Sequence, residues 1–184
     1  MALKSTVFKV KLSVADLNRQ YYEDHSLTIA RHPSETDIRM VVRVVAFALN
    51  AHEHLQFTKG LSDADEADLW QIDLTGDIEH WIDLGQPNEK RIRQSCSKAN
   101  RVSIYTYQKR AAGPWFADIK DSLERFKHLS VTHLAIQDEA AVSALVDRTM
   151  ELHCTIEDNH ILLVGNGQSL TIDMDVAKAA FAGR

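Results

Sequence analysis

Asp68 and Asp83 lie fifteen residues apart in a stretch, Gly60 to Glu89, that holds nine acids and neither lysine nor arginine. From Lys90 to Phe116 the sign reverses, with seven bases and no acid. Between them DLWQIDLTGDIEHWIDLGQ reads as two strands joined by a tight turn at Gly76-Asp77. On the first strand Asp68 shares a face with Trp70, Ile72 and Leu74; on the second, Asp83 shares one with Glu79, Trp81 and Gly85. A dry, unpaired carboxylate in such company is costly. It must ionise beside a cation, pair with arginine, or reach solvent. Two carboxylates from neighbouring strands can place oxygens about 2.0–2.1 Å from one octahedral Mg2+ or Mn2+, leaving positions for water and phosphate. Such a metal lowers the pKa of its water and stabilises charge on a scissile phosphate. The plain alternative is edge-strand charge that keeps a hairpin soluble.

The bases that follow fall on two stripes of one helix, Lys90 with Arg93 and Arg91 with Lys98. They would contact a phosphate backbone, or pair with the acids just before them. Pairing is expected for most; Lys90, on a long stem, is set apart as one that can return to the acids. Arg39 and Arg43, four apart on a face shared with Glu35, would clamp a phosphate or form an internal ion pair, and the ion pair is the expectation. His52 and His54 lack the i, i+4 spacing of a helical zinc pair. His80 reads as a satisfied core or edge histidine, and Trp70, Trp81 and Trp115 as core.

These groups need a scaffold. VFKVKLSV alternates as a half-buried strand, paired as a hairpin with Tyr21 to His32. Ser34 is the expected N-cap of a helix from Glu35 to Ala51. HEHLQFTKGLSDADE, with Gly60, reads as a polar loop. After the acidic hairpin come a helix from about Asn88 to Ala99, a strand at VSIYTY, and a loop at AAGPW. A helix follows from Trp115 to Phe126, then a strand at Val131 to Ile136 and a helix at Asp138 to Asp147. A hairpin turning at Asp158-Asn159, a strand at SLTIDM and an alanine-rich tail complete the chain. Strand–helix–strand units imply an α/β fold with a mixed sheet flanked by helices, in one domain spanning residues 1–184.

Of 184 residues, 45% are hydrophobic and 26% charged, which is ordinary for a globular protein. No apolar run reaches the roughly 20 residues of a membrane span, and MALKSTVFKVKLSV lacks a signal-peptide h-region. A cytoplasmic protein with Cys96 and Cys154 as reduced thiols is expected. A net charge of -5 disfavours nonspecific coating of nucleic acid, so any phosphate contact has to be local.

The run Glu35-Thr36-Asp37-Ile38-Arg39-Met40-Val41-Val42-Arg43, then FALNAHEHLQFTKGLSDADEADLW, IDLTGDIEHWIDLGQPNEKRIRQ and VSIYTY, resembles the YaeQ family of small bacterial proteins. The likeness spans most of the chain and is most specific in the DLW…WIDLGQP…KR signature. It implies a variant of the PD-(D/E)XK, restriction-endonuclease-like fold. By that resemblance Asp68 matches the Asp of the PD element, Asp83 the acid of the (D/E)XK element, and Glu35 the helical acid many members add to the metal site. Ala67 stands where proline usually precedes the Asp, and Gly85 where the lysine belongs. Gln86 or Lys90 would then replace that lysine.

Two functions follow as expectations. One is Mg2+- or Mn2+-dependent phosphodiester hydrolysis, with Glu35, Asp68 and Asp83 on the metal and Arg39, Arg43 and Arg93 on nucleic acid. The other is a catalytically silent module of the same fold that holds a protein or nucleic-acid partner.

Overall fold

Phe8, Val10, Leu12 and Val14 all bury their side chains from β1 (Thr6–Asp16), as their alternation requires. This strand pairs antiparallel with β2 (Tyr21–Arg31) along its whole length. The structure is a computed structural model describing residues 4–59 and 65–181. Gly60 and Asp63, and the end of the alanine-rich tail, lie outside the described residues.

The remaining elements are α1 (Asp37–Leu49), β3 (Leu55–Phe57), β4 (Leu69–Ile72), β5 (Ile78–Leu84), α2 (Glu89–Lys98), β6 (Ala99–Thr106) and α3 (Lys109–Leu123). These are followed by β7 (Leu129–Ile136), α4 (Glu139–Leu145), β8 (Thr149–Glu157), β9 (His160–Gly165) and β10 (Gln168–Lys178). Among the described residues ten strands join one mixed sheet in the order β2-β1-β8-β9-β10-β7-β6-β5-β4-β3. Pairing is parallel between β1 and β8 and through β5, β6 and β7, and antiparallel elsewhere.

Every residue from Met40 to Ala48 is buried, because α1 is apolar nearly all round and is enclosed rather than laid on a surface. It packs on β1, β8 and β5 and against α4. On the opposite face of the sheet, Ile92 of α2 and Leu123 of α3 build a second core with Trp81, Val102, Ile104, Leu129 and Val131. The sheet nearly closes around α1. Arg43, within α1, donates to the Ala30 carbonyl on edge strand β2 (3.0 Å) and to the Thr58 carbonyl just past edge strand β3 (3.5 Å). At the other end of the helix Arg19 donates to the carbonyls of Ala48 and Ala51, adding a side-chain donor to its C-terminal turn.

Four local expectations are corrected. The polar loop contains a strand, β3, because Leu55 and Phe57 find the core once β4 lies beside them. The N-cap of α1 is Thr36, whose hydroxyl accepts from Arg39 N–H, while Ser34 bonds His32; Glu35 therefore precedes the helix. Leu74 and Thr75 belong to the turn, where the Asp73 carboxylate accepts from the Thr75 and Asp77 amides and Leu74 is almost fully exposed. AAGPW is not a loop: α3 runs from Lys109 through Gly113 and Pro114 to Leu123.

Candidate functional site

Glu35, Asp68 and Asp83 are all buried, and each is engaged by arginine. Glu35 stands just before α1 and takes Arg39 Nη1 at 3.0 Å on Oε1 and Arg43 Nη1 at 3.1 Å on Oε2. Arg39 reaches across to Asp68 with its other terminal nitrogen, Nη2 to Oδ1 at 2.5 Å. The second oxygen of Asp68 accepts from Leu84 N–H at 2.8 Å, which locks the entry of β4 to the end of β5. One residue earlier on β5, Asp83 points to the α2 side with Trp81. Arg91 meets it in a fork, Nε to Oδ2 at 2.9 Å and Nη2 to Oδ1 at 2.8 Å.

Local sequence explains the fork. Asn88 caps α2 by accepting from Arg91 N–H, which sets the helix phase. Ile92 and Ser95 then face the sheet, and Arg91 and Lys98 lie on the stripe facing the acidic segment. Lys98 approaches Asp65 and Gln94 bonds it. The expected pairing of this stripe with the preceding acids is what the structure has. Lys90, set apart at the sequence level, is exposed on the other side of α2 and makes no hydrogen bond or ion pair among the described residues. Arg93 pairs with Glu89 in solvent. Gln86 is half-buried at the end of β5, with its amide nitrogen unpartnered. Arg39 and Arg43 form the internal ion pairs expected of them.

Electrostatics follows the pairing. Three acids meet three arginines, so the cluster is balanced. Burial pushes the Asp83 carboxyl above its ordinary value, against the pull of Arg91, and the nearby Asp68 charge adds to the rise. Burial works to lower Arg39, yet Asp68 and Glu35 outweigh it and hold the guanidinium more firmly protonated. Tyr107, at the end of β6, is half-buried and feels the same three charges; burial first, then Asp68 and Glu35, raises its phenol. Among the described residues no group of three or more His, Cys, Asp and Glu is arranged to hold a metal. In this arrangement the acids do not fit a divalent cation, since the oxygens it would take already hold guanidinium or amide hydrogens.

Gly85 has φ +87°, in the left-handed region, and donates its N–H to the Tyr105 carbonyl. A lysine there would be strained, although the space beside it is open. Beside the cluster lies a cleft of about 410 Å³ between the two free sheet edges, walled by Thr28 and Ala30 on one side and Phe57, Thr58 and Trp70 on the other.

What sequence reasoning missed is that Arg91, and not Lys90, is the base that reaches Asp83. Its signal was present: an Asn-Glu-Lys-Arg run in which the N-cap, not the first base, decides which side chain turns inward.

Comparison with known proteins sets this geometry in a lineage. Proteins carrying the name "Uncharacterized protein YaeQ" from Escherichia coli (strain K12) and Salmonella typhi are 43% and 42% identical over 174 residues. In both cases 95% of this chain and 96% of the relative are covered. The crystal structure of YaeQ protein from Xanthomonas axonopodis pv. citri superposes with a TM-score of 0.91 at 40% identity, over 95% of this chain and 99% of that one. The YaeQ protein from Pseudomonas syringae gives 0.86 at 29% identity, over 95% and 97%. Residues 1–174 match the YaeQ protein family throughout, and the chain belongs to that family.

Proposed function

We propose that this protein is a catalytically silent module of nuclease-like, PD-(D/E)XK ancestry that works by holding a partner in the cytoplasm. One observation carries the reading: Glu35, Asp68 and Asp83 are each neutralised by arginine. A divalent cation would have to displace two guanidinium groups, each bound through short charge-assisted hydrogen bonds. Among the described residues neither position expected to orient an attacking water does so, since position 85 is glycine and Lys90 is turned outward. The same use of Arg39, Arg43 and Arg91 removes them from phosphate contact. With a net charge of -5, a protein partner is favoured over nucleic acid.

A second reading, Mg2+- or Mn2+-dependent hydrolysis of a phosphodiester, draws on one feature. Asp68 accepts from the Leu84 amide, one residue from Asp83, and its charge is felt by the Asp83 carboxyl; Arg91 keeps a quarter of its side chain exposed and so has room to swing away.

The purified protein, incubated with double- and single-stranded DNA and RNA in Mg2+ or Mn2+, distinguishes the two. The silent module leaves every substrate intact and gives no saturable Mg2+ heat in calorimetry. Cleavage that disappears in Asp83→Asn would establish the hydrolase instead.

A further inference from the structure

α3 turns one stripe toward β7 and β10: Lys109, Ala112, Gly113 and Phe116, spaced i, i+3, i+4 and i+7. The middle of that stripe carries only a methyl group and a hydrogen. Helix and sheet therefore fail to meet there, and a cavity of about 290 Å³ remains. A Cβ added to Gly113 would touch no atom within 4 Å. Glycine and proline side by side are the two poorest residues for a helix interior. A local choice that opposes its own element is where something other than stability is being served.

The polar groups around this hollow converge. Thr106 Oγ1 lies 2.9 Å from Nδ1 of His133, which holds the imidazole by that nitrogen and leaves Nε2 without a partner among the described residues. Asp175 of β10 stands opposite His133 in register and lines the same space. Lys109 is at the mouth, on the first turn of a helix whose N-cap residue, Gln108, makes no side-chain bond. Trp115 and Phe116 supply aromatic surface, and the Trp115 indole is fixed by donating to the Pro87 carbonyl at 3.0 Å.

Asp175, His133 and Lys109 make the rim of the lining polar and charged while its floor is aromatic. The lining asks for a flat ring with N–H donors on its edge and an anionic group at one end. We propose that this cavity binds a purine nucleoside monophosphate. The ring lies against Trp115 and Phe116, the exocyclic amine or ring N–H meets Asp175, His133 Nε2 bonds the remaining ring edge, and the phosphate is taken by Lys109. This site is separate from the acid–arginine cluster and stands whether or not that cluster acts on phosphodiesters.

Titration calorimetry of the full chain with AMP and GMP tests it, using adenosine and ribose 5-phosphate as probes lacking one half of the ligand. At least one nucleotide is expected to bind saturably, with each half-ligand weaker by about tenfold or more. Gly113→Leu, which fills the hollow, should weaken nucleotide binding about tenfold while thermal unfolding shows an intact fold. Lys109→Ala, at an exposed position, gives an independent loss of about fivefold should the leucine variant not fold. Absence of saturable heat with both nucleotides up to about 5 mM, or undiminished binding in the folded Gly113→Leu or in Lys109→Ala, overturns the proposal.

Discussion

Arg91 grips both oxygens of Asp83, at 2.8 and 2.9 Å, from a helix that begins only two residues earlier in the chain. The acid is almost wholly buried while the base keeps one edge in solvent. Removing the arginine leaves a carboxylate with no neutralising partner in a dry site. Arg91→Ala should therefore cost about 3 kcal/mol in urea unfolding. Replacing both partners with apolar groups, Asp83→Leu with Arg91→Met, should return to within about 1 kcal/mol of the parent. A double variant as unstable as the sum of its singles would show that the pair is not coupled.

Arg43 holds Glu35 and both edges of the sheet from inside the closed turn of strands. Arg43→Met should destabilise the fold by about 3 kcal/mol or more, because Glu35 and two carbonyls lose donors together. Arg43→Lys should recover little, since one ammonium does not match the span of a guanidinium fork. Hydrogen exchange should report the place: amides of β2 near Ala30 and of β3 speed up more than those of β1. Uniform acceleration across the sheet would count against the edge-bridging role.

His80 sits inside the sheet with Arg101 Nη2 at 2.8 Å from Nδ1 and Ser103 Oγ at 2.8 Å from Nε2. Nδ1 accepts from the guanidinium, so the ring proton is on Nε2 and goes to the serine. Burial first, then the Arg101 charge, pushes the pKa down to about 3. The unfolded chain takes up this proton near pH 6.5 and the folded one does not. Stability from this group is thus complete above about pH 6.5 and is lost as pH falls toward 3, by about 1.4 kcal/mol per pH unit within that window. His80→Gln should flatten this part of the stability–pH curve between pH 7.5 and 4.5. An unchanged slope would mean the acid sensitivity lies elsewhere.

Gly85, two residues after Asp83, has a φ of +87°, which any residue with a side chain adopts only under strain. Gly85→Ala should cost about 1–2 kcal/mol although its Cβ meets no neighbour, because the loss is backbone strain alone. Gly85→Lys should be at least as unstable and gain no cleavage of DNA or RNA with Mg2+. Metal-dependent cleavage by that variant would show that the arginine pairs yield to a cation after all.

Alternation by itself placed β1, β2, β5 and the last hairpins, since a period-two pattern in a half-buried strand leaves few registers that bury the apolar face. It also marked Asp68 and Asp83 as acids at positions wanting apolar residues, and Glu35, Arg39 and Arg43 as one charged group. Segments with weak local signals were lost: β3 has three residues and exists because β4 pairs with it, and the first part of α3, from Lys109 to Pro114, read as a loop because of its Gly-Pro, whereas the helix from Trp115 onward was foreseen. Only the tertiary structure decided which cation meets which acid. Side chains one residue apart on a helix point about 100° apart, so the capping of α2 by Asn88 turned Arg91 inward and Lys90 out to water. Charge content was legible along the chain; its neutralisation depended on how that helix was set against the sheet.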